Sequence, residues 1–422
     1  MADIAPLPAL RYDQAVAGQL QDLWSPPYDV IDTAGRAELA ARSPHNAVHI
    51  DLPEGDDPYA AAAETLRGWE AEGAVVRDEP AIWALEQGYR APDGRDLVRR
   101  GFLCRVRVED YGPGRIRPHE RTHPGPKEDR LRLTRATHAN LSPIFSLFSD
   151  PGGRAGAALA PHTGGAPWGE VTDDDGNRHR LWRVTDPSAI AEVVAAAAPA
   201  ELLIADGHHR YETARVYAEE VGGDGAHRWV LMCLVALEDP GLTVFPTHRL
   251  VRGTTSEQQE ALAAAIRRDW DFEEVPEDEI VPAPASDGRV AIGYMDAHVR
   301  RAYRLTLKDP GAAATALPGH AEPYRRLDTA VTEALLLKGA LGLTDDHIDR
   351  LDGFGYARDT EQARGWVHDG TYDLAFFMGP TPVERVHEVA AAGESMPPKS
   401  TYFFPKVLTG LVFNPLDAEG GR

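Results

Sequence analysis

The chain has 422 residues, 43% hydrophobic and 26% charged, which is the composition of a folded protein with room for two or three cores and excludes wholesale disorder. With 44 basic against 66 acidic residues the net charge is −22, a field that repels nucleic-acid backbones and points to small-molecule partners, with no nucleic acid and no membrane expected. Only Cys104 and Cys233 are present, both in apolar strand-like runs, so they read as buried reduced thiols. The first residues lack a basic segment followed by an apolar one, and the apolar stretch 189–205 is broken by Glu192, Pro199 and Glu201; a cytoplasmic location is expected.

In chain order, 46–52 alternates like a strand, 58–73 carries helical spacing, and 81–89 and 99–109 return to strand. A Pro-, Gly- and His-rich stretch over 111–127 leaves little room for regular structure. A helix starting near Asp186 feeds a short strand over 201–204, and a helix covers 211–220. Strands are predicted over 229–237, 242–246, 290–295 and 302–308, and a capped helix over 256–268. An apolar helix over 327–341, a strand over 372–378 and a helix over 381–392 follow. The fold class is therefore α/β with mixed sheets, divided by composition into regions 1–110, 111–250, 251–326 and 327–422.

The most informative segment is Ala205-Asp206-Gly207-His208-His209-Arg210-Tyr211-Glu212. A glycine sits where a strand turns into a helix, so helix-end N–H groups and the positive end of the helix dipole face outward together. Two histidines and an arginine at the same turn suit phosphate oxygens. Asp-Gly is also an ordinary turn, and His208 can equally be a satisfied core residue.

Three other segments concentrate polar chemistry. Pro118-His119-Glu120-Arg121-Thr122-His123, with Lys127, Asp129 and Arg130 beyond, offers Glu120 as a general base for a hydroxyl, or a set of loop ion pairs. His119 and His123 share the spacing of a helical zinc pair, although Pro118, Pro124 and Pro126 oppose a helix. Thr247-His248-Arg249 follows an expected strand end, where Arg249 can clamp a carboxylate or phosphate or simply be a surface charge. Lys399-Ser400-Thr401 and Lys406 lie between prolines and read as a cationic substrate loop; no Gly-x-x-x-x-Gly precedes them, which excludes a P-loop.

These motifs, with Pro26-Pro27-Tyr28-Asp29-Val30, Asp129-Arg130-Leu131, Ser142-Pro143-Ile144-Phe145 and Met396-Pro397-Pro398, together resemble the domain-of-unknown-function family 1015 over nearly the whole chain. The central turn is similar to the phosphate-binding turn of the ParB/sulfiredoxin superfamily, which includes free serine kinases. The resemblance implies a ParB/sulfiredoxin-like core and transfer of a phosphoryl group from ATP, ADP or pyrophosphate, with Mg2+, to free L-serine, giving O-phosphoserine. It assigns the donor phosphates to Gly207, His208, His209 and Arg210; Lys399, Ser400 and Thr401 join them on the chemistry of the cationic loop. Asp206 would hold magnesium or orient the nucleophile and counts as catalytic with His209; Glu120 joins them as base on its own chemistry, matching no superfamily motif. His119, His248, Arg249 and Lys406 would bind the substrate. Two rival readings are a ParB-like nucleotide-binding regulatory module and a metal-dependent hydrolase using His119, His123, His208 and His209.

Overall fold

A computed structural model describes residues 2–91, 94–120, 124–283 and 289–417. The fold is mixed α/β, and the chain divides into two compact units, each assembled from separated stretches of sequence. Unit 1 comprises Met1–Pro118, Thr122–Leu242 and Pro405–Arg422; unit 2 comprises His119–Arg121 and Thr243–Phe404.

Unit 1 is built on a mixed sheet of nine strands among the described residues. In spatial order these are Ile116–Pro118, Leu202–Asp206, Ile144–Phe148, Trp229–Ala236, Asp96–Arg107, Ile82–Arg90, Arg178–Val184 and Gly169–Thr172, with Ile4–Ala5 paired to Asp96–Arg107. Alternation decides what each face buries. Ile82, Ala84, Phe102, Cys104, Met232, Leu234 and Ile204 pack under the helices Arg154–Leu159, Pro187–Ala197 and His208–Val221, through Leu159, Val193, Ala197, Tyr211 and Ala214. The other face carries Leu103, Cys233 and Phe145 in one cross-strand row. Cys104 pairs in register with Met232 and Cys233 with Leu103, so the two thiols lie on opposite faces, buried and unbridged.

Unit 2 holds a six-stranded antiparallel sheet among its described residues, in the order Trp270–Val275, Ala302–Leu307, Ala291–Asp296, Leu374–Phe377, His248–Val251, Phe354–Ala357. One face packs Leu262, Trp270, Ile292, Leu336 and Phe376, and the other Leu250, Met295, Val367 and Phe377. The helix Ser256–Asp269 starts with the expected capping box, Thr255 with Gln258.

Four expectations are corrected or refined. Residues 46–52 do not form a strand: Val48–Asp51 is a short helix, because the buried Asn46 accepts from Val48 N–H and donates to the carbonyls of Asp22 and Trp24. The 111–127 stretch contains the strand Ile116–Pro118 and the start of the helix Pro124–Thr137; prolines are tolerated in a helix's first turn, where an N–H has no intrahelical partner. His248 and Arg249 follow the end of the strand Thr243–Phe245, as expected, but are not loop residues: they open a further strand, His248–Val251. The 327–341 helix is broken into Asp328–Thr332 and a wider π turn over Glu333–Lys338, where Gly339 N–H bonds back to Ala334 O. No described helix is long and apolar enough to cross a membrane.

Candidate functional site

In unit 1 the Asp-Gly-His-His-Arg turn is where the sequence placed it, at the end of Leu202–Asp206 and the start of His208–Val221. A β-bulge precedes it: Ile204 pairs with Ser146, and Asp206 rather than Ala205 then pairs with Phe145. The extra residue turns Asp206 onto the Phe145 face, away from the helix-packed core. Gly207 has φ 92° and ψ 29°, a left-handed conformation that glycine adopts at little cost. A Cβ there would also lie 2.9–3.2 Å from the Arg210 guanidinium. That guanidinium is folded back over the turn, donating to Pro143 O and standing 3.8 Å from Asp206 Oδ1.

The second cation at Asp206 comes from the far end of the chain, since Lys406 Nζ donates to Asp206 Oδ2 at 2.8 Å. Burial alone would raise the Asp206 carboxyl; Lys406, Arg210 and His208 outweigh it and hold the group well below the usual carboxylate range. Two permanent cations around one carboxylate leave the turn locally positive in a chain of net charge −22. The same geometry bears on magnesium. Both Asp206 oxygens face a cation, so a divalent ion on that carboxylate would sit beside an ammonium and a guanidinium, and the residues present do not fit Asp206 as a metal ligand. Among the described residues no group of three His, Cys, Asp or Glu side chains is gathered for a metal; His123 lies outside them.

Other motifs named in the sequence surround Arg210. Tyr28 lies under the Arg130 guanidinium at 4.2 Å, and Arg130 Nη1 donates to Asp51 O at 2.6 Å. Ser142 Oγ donates to Asp51 Oδ2 at 2.9 Å. Together Tyr28, Asp51, Arg130, Ser142, Arg210 and Thr213 line one small cavity. Asp51 carried no signal, because nothing local marks an aspartate as the partner of an arginine 79 residues away.

In unit 2 the His119-Glu120 pair is docked through Met396 N–H, which donates to His119 O at 2.7 Å. His119 is buried, with Nε2 2.7 Å from Thr401 Oγ1 and the Phe403 ring edge-on at 5.8 Å. Glu120 Oε1 lies 3.5 Å from Thr401 Oγ1 and 3.7 Å from His119 Nε2, so these three expected residues do cluster. Arg249 is buried, its charge disfavoured by that burial, and it donates to Pro398 O at 3.3 Å and to Thr247 O. It therefore shapes the Pro397-Pro398-Lys399 turn. Ser400 Oγ is buried and donates to Pro397 O at 2.6 Å, whereas Lys399 is exposed at φ 56°. His248 stands apart from this cluster: Nε2 meets Thr360 Oγ1 at 2.9 Å and Nδ1 accepts from Met378 N–H at 3.2 Å. Burial, then Arg249, pushes its pKa down to about 4.

Sequence reading missed a polar row on the unit 1 sheet. His179, Gln87 and Arg99 pair directly across three adjacent strands and are all buried. The available signal was three polar residues at alternate positions of strands, which read equally well as a solvated face.

The architecture is that of a two-unit mixed α/β protein with an anion-suited turn at a strand-to-helix junction. The chain belongs to the family described as a protein of unknown function, DUF1015, whose model matches residues 4–330. No curated protein matches it. Among solved structures, a free serine kinase in complex with AMP is 15% identical with a TM-score of 0.36, covering 68% of this chain and 83% of that one. A conserved hypothetical protein from Pyrococcus furiosus is 16% identical, with a TM-score of 0.34 and coverage of 68% and 87%. SbnI from Staphylococcus aureus, C-terminally truncated, is 14% identical, with a TM-score of 0.36 and coverage of 74% and 87%. Likeness at this level says nothing of shared chemistry.

Proposed function

We propose that this DUF1015 protein is a small-molecule phosphotransferase that binds the phosphates of its donor at the Asp206-Gly207-His208-His209-Arg210 turn. The observation that carries the reading is a left-handed glycine at a helix start, flanked by Arg210 and by Lys406 on a half-buried aspartate. Phosphoryl transfer asks a protein chiefly to position the reactants and to neutralise charge spread over the equatorial oxygens. Arg210 and Lys406 supply that charge, and the first-turn N–H groups and dipole of His208–Val221 supply direction. Asp206 acts by holding both cations in place.

The acceptor to test first is free L-serine, and the donors are ATP, ADP and pyrophosphate. Incubating the full chain with serine and each donor in turn, with and without magnesium, and following 31P resonances should show O-phosphoserine with at least one donor. Absence of product with all of them overturns the reading.

A further inference from the structure

Lys406 reaches Asp206 from a segment that is not part of any strand of the large sheet, and something must hold that segment in register. The buried polar row does so. Arg99, 1% exposed, donates from Nη2 to Pro405 O and from Nε to Gln87 Oε1 at 3.0 Å. Its guanidinium also lies 4.5 Å over the ring of Phe145, the residue paired with Asp206. Gln87, also 1% exposed, donates from Nε2 to Lys406 O at 3.0 Å and to His179 Nδ1 at 3.0 Å. Because Gln87 offers an N–H there, His179 Nδ1 must accept, so its proton is on Nε2 and is donated to Asp173 Oδ2 at 2.9 Å. Asp173 is itself oriented by Asn177, through the backbone N–H at 2.8 Å and the side-chain amide. Every polar atom of Gln87 is thereby used, and the consecutive carbonyls of Pro405 and Lys406 are both pinned. Burying a guanidinium among carbonyls carries a desolvation cost that an apolar residue on this face would avoid.

We propose that Arg99, Gln87 and His179 are positioning residues that fix the Pro405–Lys406 backbone and so set the Lys406 ammonium on Asp206. The assignment rests on the reading of this turn as the phosphate site, but its first readout does not. In the full-length protein, acylation of lysines by a water-soluble ester, followed by peptide mass spectrometry, reports how firmly Lys406 is held. The exposed Lys308 is the internal reference. Gln87→Glu keeps the acceptor for Arg99 and removes both N–H donors, and His179→Leu removes the far acceptor. Each should speed labelling of Lys406 about tenfold, as for loss of one buried hydrogen bond, and leave Lys308 unchanged. His179→Asn, which restores an acceptor near the Nδ1 position, should restore slow labelling. Pyrophosphate affinity, measured by titration calorimetry, should fall by about the same factor in Gln87→Glu and show no such further loss when Lys406 is already alanine.

Unchanged Lys406 labelling in folded Gln87→Glu and His179→Leu proteins overturns the assignment. So does an equal loss of pyrophosphate affinity in the Lys406→Ala background. A wild-type chain that binds none of ATP, ADP and pyrophosphate yet shows the labelling pattern overturns the phosphate reading and sustains the positioning one.

Discussion

Gly207 is the residue on which the turn depends, for two separate reasons. Its φ of 92° lies where side chains are strained, and its missing Cβ is the space into which the Arg210 guanidinium folds. Gly207→Ala should therefore cost about 1–3 kcal/mol, read by urea unfolding, and displace Arg210 from Pro143 O. An alanine variant as stable as wild type would mean the turn relaxes freely. His248 shows how a buried histidine ties stability to pH. It is buried and neutral, with its pKa pushed down to about 4 by burial and by Arg249, against about 6.5 in an unfolded chain. The unfolded state takes up the proton first, so the contribution is complete above about pH 6.5 and is lost as pH falls toward 4, about 3 kcal/mol in all. The difference between wild type and His248→Gln in stability against pH measures it, and parallel curves between pH 6.5 and 4 would contradict it.

Single elements show why parts of the fold were readable and others were not. The helix Ser256–Asp269 was legible because its start is written locally, with Thr255 Oγ1 accepting from Gln258 N–H and the Gln258 side chain accepting from Thr255 N–H. Thr255→Ala should cost about 1 kcal/mol and speed amide hydrogen exchange in the helix's first turns about fivefold; unchanged exchange would mean the cap contributes nothing. The helix starting at Pro124 was hidden by its own prolines, which forbid a helix interior and suit a helix start. Val48–Asp51 was hidden because four residues are too few to separate a period of 2 from one of 3.6. The bulge before Asp206 was invisible as well: it depends on pairing with Ile144–Phe148, a partner more than fifty residues upstream, and it decides which face the aspartate joins.

At the scale of the molecule, the strand-to-helix glycine turn was legible in the sequence, whereas its cation Lys406, 200 residues away, carried no local sign of which carboxylate it serves. The same holds for His179, Gln87 and Arg99, whose burial follows only from how three strands pair. The chain's net charge of −22 is a property of the whole surface, whereas the locally positive turn is a matter of two side chains, Arg210 and Lys406, placed by tertiary structure. Phosphoryl transfer at this turn requires that its two cations set the rate. Its most direct test is turnover with the productive donor in folded Arg210→Ala and Lys406→Met proteins, measured beside wild type. Each variant removes a cation from the phosphate site and should lower the rate at least about a hundredfold, the scale of one lost charge-stabilising group. Wild-type turnover in both folded variants would contradict the claim and move the chemistry elsewhere in the chain.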